Sequence, residues 1–154
     1  MTHRQIAWAF VGAQFVLLLA IILIPQGDDW TVTLLVDILA VLFGLVGLGL
    51  GLWAVLYLGR GLSALPLPNG EVDVVSTGPY RLVRHPMYVA VMAFVIALTL
   101  RSGRWVVVIL SIALGALFTL KTWWEEARLE EAMPEYAVYR AVTPRFIPSL
   151  RRRA

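Results

Sequence analysis

The chain contains no cysteine and only two histidines, His3 and His85, far apart in sequence. The first absence excludes disulfides, thiolate nucleophiles, iron–sulfur clusters and Cys-ligated zinc. The second, with no HxxxH or HExxH spacing, argues against a metal site. Charge is also scarce. Only 15% of the residues are charged, against about 25% in a soluble domain. The net charge of +3 comes mostly from the arginine-rich end. Arg151, Arg152 and Arg153 read as a contact for anionic lipid or as a solvated tail, and not as a nucleic-acid surface.

Apolar residues are abundant instead. They make up 60% of the chain, and the mean hydropathy is +0.79. They fall in long runs, the mark of an integral membrane protein. The expectation is an all-α membrane bundle forming one domain over residues 1–154, with spans near 6–24, 32–58, 86–101 and 104–122. About 20 helical residues cross the hydrocarbon. The second run exceeds that and must tilt or project. The third falls short and uses Pro86 as its first helical residue. The first is too long for a signal-peptide core, and no A-x-A site follows it.

Lysine and arginine positions orient the spans. The loop 26–31 has none, and the loop 101–104 has two. The other eleven of 13 lie in the N-terminus, in 59–85 and after Leu120. Both termini and the segments 59–85 and 123–154 are therefore expected on the cytoplasmic side of an inner or plasma membrane. Gly47 and Gly51 form a GxxxG pair in the second run, read as packing within the monomer or as a weak homodimer face. Gln14 and Asp37 are polar within apolar runs, Asp37 near its helix start at the membrane interface.

Segment 59–85 has turn chemistry at Pro66, Pro68 and Asn69-Gly70. Val72, Val74 and Val75 alternate with acidic residues over a short extended piece. Then comes Gly78-Pro79-Tyr80-Arg81-Leu82-Val83-Arg84-His85-Pro86-Met87-Tyr88. Two prolines enclose arginines, a histidine and a tyrosine against the mouth of a span, where polar groups mark a site. His85 precedes a proline and is pushed out of the helical region. Its imidazole is expected near the positive start of the next helix. Interfacial anchoring by tyrosine and arginine is the plainer alternative.

The fourth helix is expected to continue past the membrane through Lys121-Thr122-Trp123-Trp124-Glu125-Glu126 to Pro134. Glu126 and Glu130 share a face, and Glu125 is spaced to meet Arg128. A short amphipathic helix follows, with Tyr136, Tyr139, Arg140 and Thr143 near one face. Pro144-Arg145-Phe146-Ile147-Pro148 closes it.

Together these segments resemble the isoprenylcysteine carboxyl methyltransferase family, part of a wider group of small membrane methyltransferases that includes phospholipid N-methyltransferases. The resemblance rests on Gly78-Pro79-Tyr80 with Arg84-His85-Pro86-Met87-Tyr88. A second part is Glu125-Glu126 with Leu129, then Tyr136, Tyr139, Pro144-Arg145 and Pro148. It covers about residues 70–148. Ala90 stands where many relatives carry glycine. The resemblance implies S-adenosylmethionine as methyl donor, with S-adenosylhomocysteine as product. It implies a cytosolic pocket built from the segment before the third helix and from the C-terminal tail. No G-x-G-x-x-G follows a strand, so a soluble methyltransferase fold is not indicated.

Roles follow from the chemistry. The donor's carboxylate suits His85, Arg84, Tyr80 or Tyr88. Its hydroxyls and amino group suit Glu125 or Glu126. Its sulfonium suits the faces of Trp123, Trp124, Tyr136 or Tyr139. A carboxylate acceptor is already ionised and needs an orienting cation, Arg145. An amine headgroup needs a general base, Glu126 or His85. The acceptor in either case is lipidic, entering from the bilayer. A non-catalytic membrane protein dimerising through its Gly-rich span is the reading from another class.

Overall fold

The computed structural model describes residues 2–59 and 74–148. Among these are five α-helices and no strand. They are α1 (His3–Leu23), α2 (Leu34–Leu58), α3 (Pro86–Ser102), α4 (Trp105–Ala132) and α5 (Tyr136–Val142), with a 3₁₀ turn at Gly78–Arg81 before α3. The turn region around Pro66, Pro68 and Asn69-Gly70, Val72, and Arg151 to Arg153 lie outside the described residues. Val74 and Val75 belong to no regular element.

Local chemistry explains the helix ends. Thr2 caps α1 through a capping box with Gln5, satisfying two backbone donors. Pro25 stops α1. Thr33 caps α2, its hydroxyl accepting from the Val36 amide. Pro86 opens α3 at a position where its missing N–H is no loss. Gly103 ends α3 in the left-handed region, at φ 60°. α4 meets no breaker before Pro134 and so runs 28 residues, about 42 Å at 1.5 Å per residue. Hydrocarbon about 30 Å thick accommodates only part of it. The apolar portion of the helix ends near Thr122, and Trp123 to Ala132 carry most of its charged residues.

α1, α2 and α4 are each long and apolar enough to cross a membrane, and α3 is a shorter apolar helix. Large apolar side chains such as Leu19, Leu45, Leu48 and Ile112 stand exposed, as lipid-facing residues do. The protein is an integral membrane protein.

α2 lies along α3, α1 along α4, and α3 against α4. A core of Ile21, Val95, Val107, Leu114 and Phe118 joins α1, α3 and α4. Gly47 and Gly51 face α3 of the same chain. A Cβ on Gly47 would meet the Ala90 carbonyl oxygen at 2.8 Å and the Phe94 nitrogen at 2.9 Å. The small-residue face therefore packs within the monomer. Ala90 completes it, 5% exposed and opposite Gly51.

The loop after α1 is stitched to the loop after α3. The Gly27 amide donates to the Ser102 carbonyl at 2.8 Å and the Asp29 amide to that of Gly103 at 2.9 Å. Asp29 in turn accepts from the Trp105 amide at 2.8 Å. Asp37 forms an ion pair with Arg101 at 3.0 Å, both partly exposed at this same end. The opposite end carries the start of α1, the turn before α3, the charged end of α4, and α5.

Candidate active site

The backbone builds the site first. Gly78 takes φ 58°, a region glycine enters freely, and the Tyr57 ring fills the space a Cβ would need. Pro79 and Tyr80 are buried in the turn that follows. His85 then sits outside the helical region ahead of α3, at φ −124° and ψ 61°, as its place before Pro86 requires. The Arg84 amide donates to the Pro144 carbonyl at 2.8 Å and the His85 amide to the Arg145 carbonyl at 3.2 Å. These two bonds lay the C-terminal segment beside the turn. Tyr139 of α5 adds a third tie, its hydroxyl donating to the Tyr80 carbonyl at 2.6 Å.

Glu126 is the centre. It is 1% exposed. Arg84 reaches it with Nε to Oε1 at 2.9 Å and Nη2 to Oε2 at 3.2 Å. Arg145 does the same from the other side, at 3.0 and 2.6 Å. Both are two-point arginine–carboxylate pairs, the strong kind. His85 Nε2 lies 3.0 Å from Oε1. An ionised carboxylate only accepts, so Nε2 is the donor. The remaining Arg84 nitrogen, Nη1, donates to the Arg140 and Thr143 carbonyls. Burial alone would raise the Glu126 pKa. The hydrogen bonds from His85, Arg145 and Arg84 outweigh it and hold the carboxyl well below the usual carboxylate range.

Glu125 points differently. It accepts from the Tyr88 hydroxyl at 3.0 Å and lies 4.0 Å from His85 Nδ1. Its side chain is about one-fifth exposed, at 21%. It does not meet Arg128, contrary to the spacing-based expectation. Arg128 pairs with Glu131 and lies over Trp124 at 5.5 Å. Tyr88 stacks between His85, at 5.5 Å, and Phe118, at 4.8 Å. Phe146 closes on His85 at 6.1 Å.

The buried tyrosines stay neutral phenols. Tyr80 is pushed up to about 12, by burial first and by the Glu125 charge second. Tyr136 and Tyr139 are also raised, chiefly by burial. Tyr136 and Tyr139 meet edge to face at 5.7 Å.

The structure thus brings together Tyr80, Arg84, His85, Tyr88, Glu125, Glu126, Tyr136, Tyr139 and Arg145. Trp123 also belongs, under Arg145 at 5.7 Å. Trp124 does not, because it turns toward His3 and Phe10 of α1. Sequence reasoning overlooked Lys121, although it is the chain's single lysine and sits four residues before Glu125. It is 3% exposed, donates to Gln14 at 2.7 Å and lies 5.0 Å over the Tyr88 ring. Its spacing from Glu125 was the available signal.

The sequence model of the phospholipid methyltransferase family matches residues 35–135, and the chain belongs to that family. Over 113 residues it is 32% identical to the cobalt-zinc-cadmium resistance protein CzcN of Cupriavidus metallidurans, covering 70% of this chain and 48% of that protein. Over 153 residues it is 30% identical to the nickel-cobalt-cadmium resistance protein NccN of Alcaligenes xylosoxydans xylosoxydans, covering 96% of this chain and 66% of that one. The chain therefore spans about half to two thirds of the length of these curated relatives.

Proposed function

We propose that this chain, as one domain, is an S-adenosylmethionine-dependent methyltransferase acting on a lipidic acceptor at the cytosolic face of the membrane. One observation carries the reading. Arg84 and His85 before α3, and Arg145 after α5, converge on Glu126 where α4 leaves the bilayer. The bias of eleven basic residues to this side supports a cytosolic orientation with both termini cytoplasmic.

The donor set fits the cofactor. When bound, S-adenosylmethionine supplies an electrophilic methyl group on a sulfonium. Glu125, committed on one oxygen to Tyr88, has acceptor capacity left for hydroxyls or an amino group. Arg145, with a side chain 22% exposed, has an Nη1 with no acceptor among the described residues, which suits a carboxylate. Tyr136, Tyr139 and Trp123 offer ring faces to a positive centre. Tyr80, His85 and Tyr88 complete the wall. Arg84 and Glu126 hold the frame that fixes the others, and such positioning supplies several kcal/mol of a barrier.

The favoured acceptor is a carboxylate of the isoprenylcysteine kind. Glu126 accepts five hydrogen bonds from three residues and its carboxyl is held low, so it has little drive to take a proton. His85 commits Nε2 to Glu126. Glu126 is not placed to deprotonate an ammonium, His85 with Nε2 donating keeps only Nδ1 as a basic nitrogen, and an ionised carboxylate needs no base. The family match favours the second reading, methylation of a phosphatidylethanolamine-type amine. In that case Glu125 is the carboxylate available as base.

The relatives are named for metal resistance. For this cysteine-free chain we take that as the setting of a membrane modification, and not as a metal site. The test is methyl transfer from radiolabelled donor by the purified chain, comparing N-acetyl-S-farnesylcysteine with phosphatidylethanolamine. Label on the cysteine derivative supports the carboxyl reading, and label on the phospholipid overturns it. S-adenosylhomocysteine that fails to bind sinks the enzyme reading altogether.

A further inference from the structure

We infer that Lys121 receives the anionic group of the lipid acceptor, a carboxylate or a phosphate; which lipid is meant rests on the methyltransferase reading. Lys121 is 3% exposed and the following Thr122 is fully buried, while the preceding Leu120 is 53% exposed. Its ammonium has three donors. One goes to the Gln14 amide oxygen at 2.7 Å, and the Tyr88 ring lies 5.0 Å away. Both partners are neutral.

The arginines nearby are matched differently. Arg84 and Arg145 share the carboxylate of Glu126, Arg140 pairs with Glu130, and Arg128 with Glu131. Lys121 forms no ion pair among the described residues. A buried cation in contact only with neutral groups, with the Glu125 charge acting on it from one turn away, gains from an anion that reaches it directly. Arg145 is tied to Glu126 at two points, whereas Lys121 has no carboxylate in contact among the described residues.

Position selects an amphipathic anion. Lys121 lies one helical turn, about 6 Å, on the bilayer side of Glu125. Tyr88 spans the two, its hydroxyl on Glu125 and its ring beside Lys121. Beyond Tyr88 comes Phe118, and then the apolar core. Along α4 the order is carboxylate, cation, apolar surface. An acidic headgroup with a hydrocarbon tail matches that order. A soluble anion has nothing to place against the apolar part.

The competing account is a clip, in which Lys121 only ties α4 to α1 through Gln14. The experiment uses the full chain in nanodiscs and measures equilibrium binding of two lipid pairs. N-acetyl-S-farnesylcysteine is compared with its neutral carboxamide, and lysophosphatidic acid with monoacylglycerol. The pair that shows a preference identifies carboxylate or phosphate. The wild type is expected to prefer the charged member of one pair by about tenfold or more, the scale of a hydrogen bond to a charged group. Lys121→Met and Lys121→Gln should erase the preference, Lys121→Arg should keep most of it, and S-adenosylhomocysteine affinity should hold in all three. Gln14→Leu should preserve it.

A preference that survives in Lys121→Met overturns the inference. So does equal loss in Gln14→Leu, which assigns the clip. So does weaker S-adenosylhomocysteine binding in Lys121→Met with lipid preference intact, which assigns Lys121 to the cofactor. If Lys121→Met does not fold, Lys121→Gln decides, since it keeps an amide partner for Gln14. A wild type that discriminates the lipids yet does not bind S-adenosylhomocysteine overturns the methyltransferase reading and leaves the Lys121 site standing.

Discussion

Arg145 grips Glu126 at two points, Nε to Oε1 at 3.0 Å and Nη2 to Oε2 at 2.6 Å, although the two residues come from the closing tail and the end of a membrane helix. Arg84 makes the same grip from the turn before α3. One buried carboxylate therefore ties three separate elements. Removing it leaves Arg84, Arg145 and His85 facing one another without a counter-charge. Glu126→Gln is expected to destabilise the chain by about 3 kcal/mol or more, the scale for breaking a buried ion pair. Denaturant unfolding in detergent measures it, and a change under 1 kcal/mol contradicts the account.

The same carboxylate sets a pH dependence. Its folded-state pKa lies below the ordinary glutamate value of 4.5. A depressed acid contributes stability that is present in full above its unfolded pKa and is lost as pH falls toward the folded one. Stability should therefore drop as pH is lowered below about 4.5. Glu126→Gln should flatten that part of the curve. Thermal unfolding of both chains between pH 6 and pH 3 reads the difference.

The glycines of α2 should behave oppositely on the two faces of the helix. Gly47→Ala drives a methyl into the backbone of Ala90 and Phe94 and should cost about 1–3 kcal/mol through overpacking. Gly49 has nothing within 4 Å of an added Cβ. Gly49→Ala should be neutral or stabilising by up to about 1 kcal/mol through helix propensity. Parallel unfolding curves check the pair. Equal effects would mean that α2 does not face α3 through Gly47.

Tyr139→Phe deletes one hydroxyl, the donor to the Tyr80 carbonyl at 2.6 Å. The expected loss is about 1 kcal/mol of stability. If α5 helps to shape the cofactor pocket, S-adenosylhomocysteine binding should weaken as well. Calorimetric titration of the variant beside the wild type measures both the affinity and any loss of active fraction.

Much of the frame was legible in the sequence because its determinants are local. Pro86 and Pro134 mark helix ends through backbone chemistry that acts within a turn. The apolar runs set the spans, and the chain's up-and-down passage puts the His85 segment and the Glu126 helix end on one side. The Glu125–Arg128 pair failed because helical spacing only offers a neighbour. Arg128 found Glu131 on the other side at the same separation, and Glu125 turned to Tyr88 on α3.

The sequence by itself determined the membrane class, the helices and the residues able to carry the chemistry. These follow from hydrophobicity and backbone stereochemistry, which need no partner. Only the tertiary structure decided how those residues divide the work. Glu126 became a saturated anchor because two arginines and a histidine from distant segments reach it. Lys121 became a buried cation because it meets Gln14 from 107 positions away. Desolvation and charge pairing depend on three-dimensional neighbours, and no spacing along the chain specifies them.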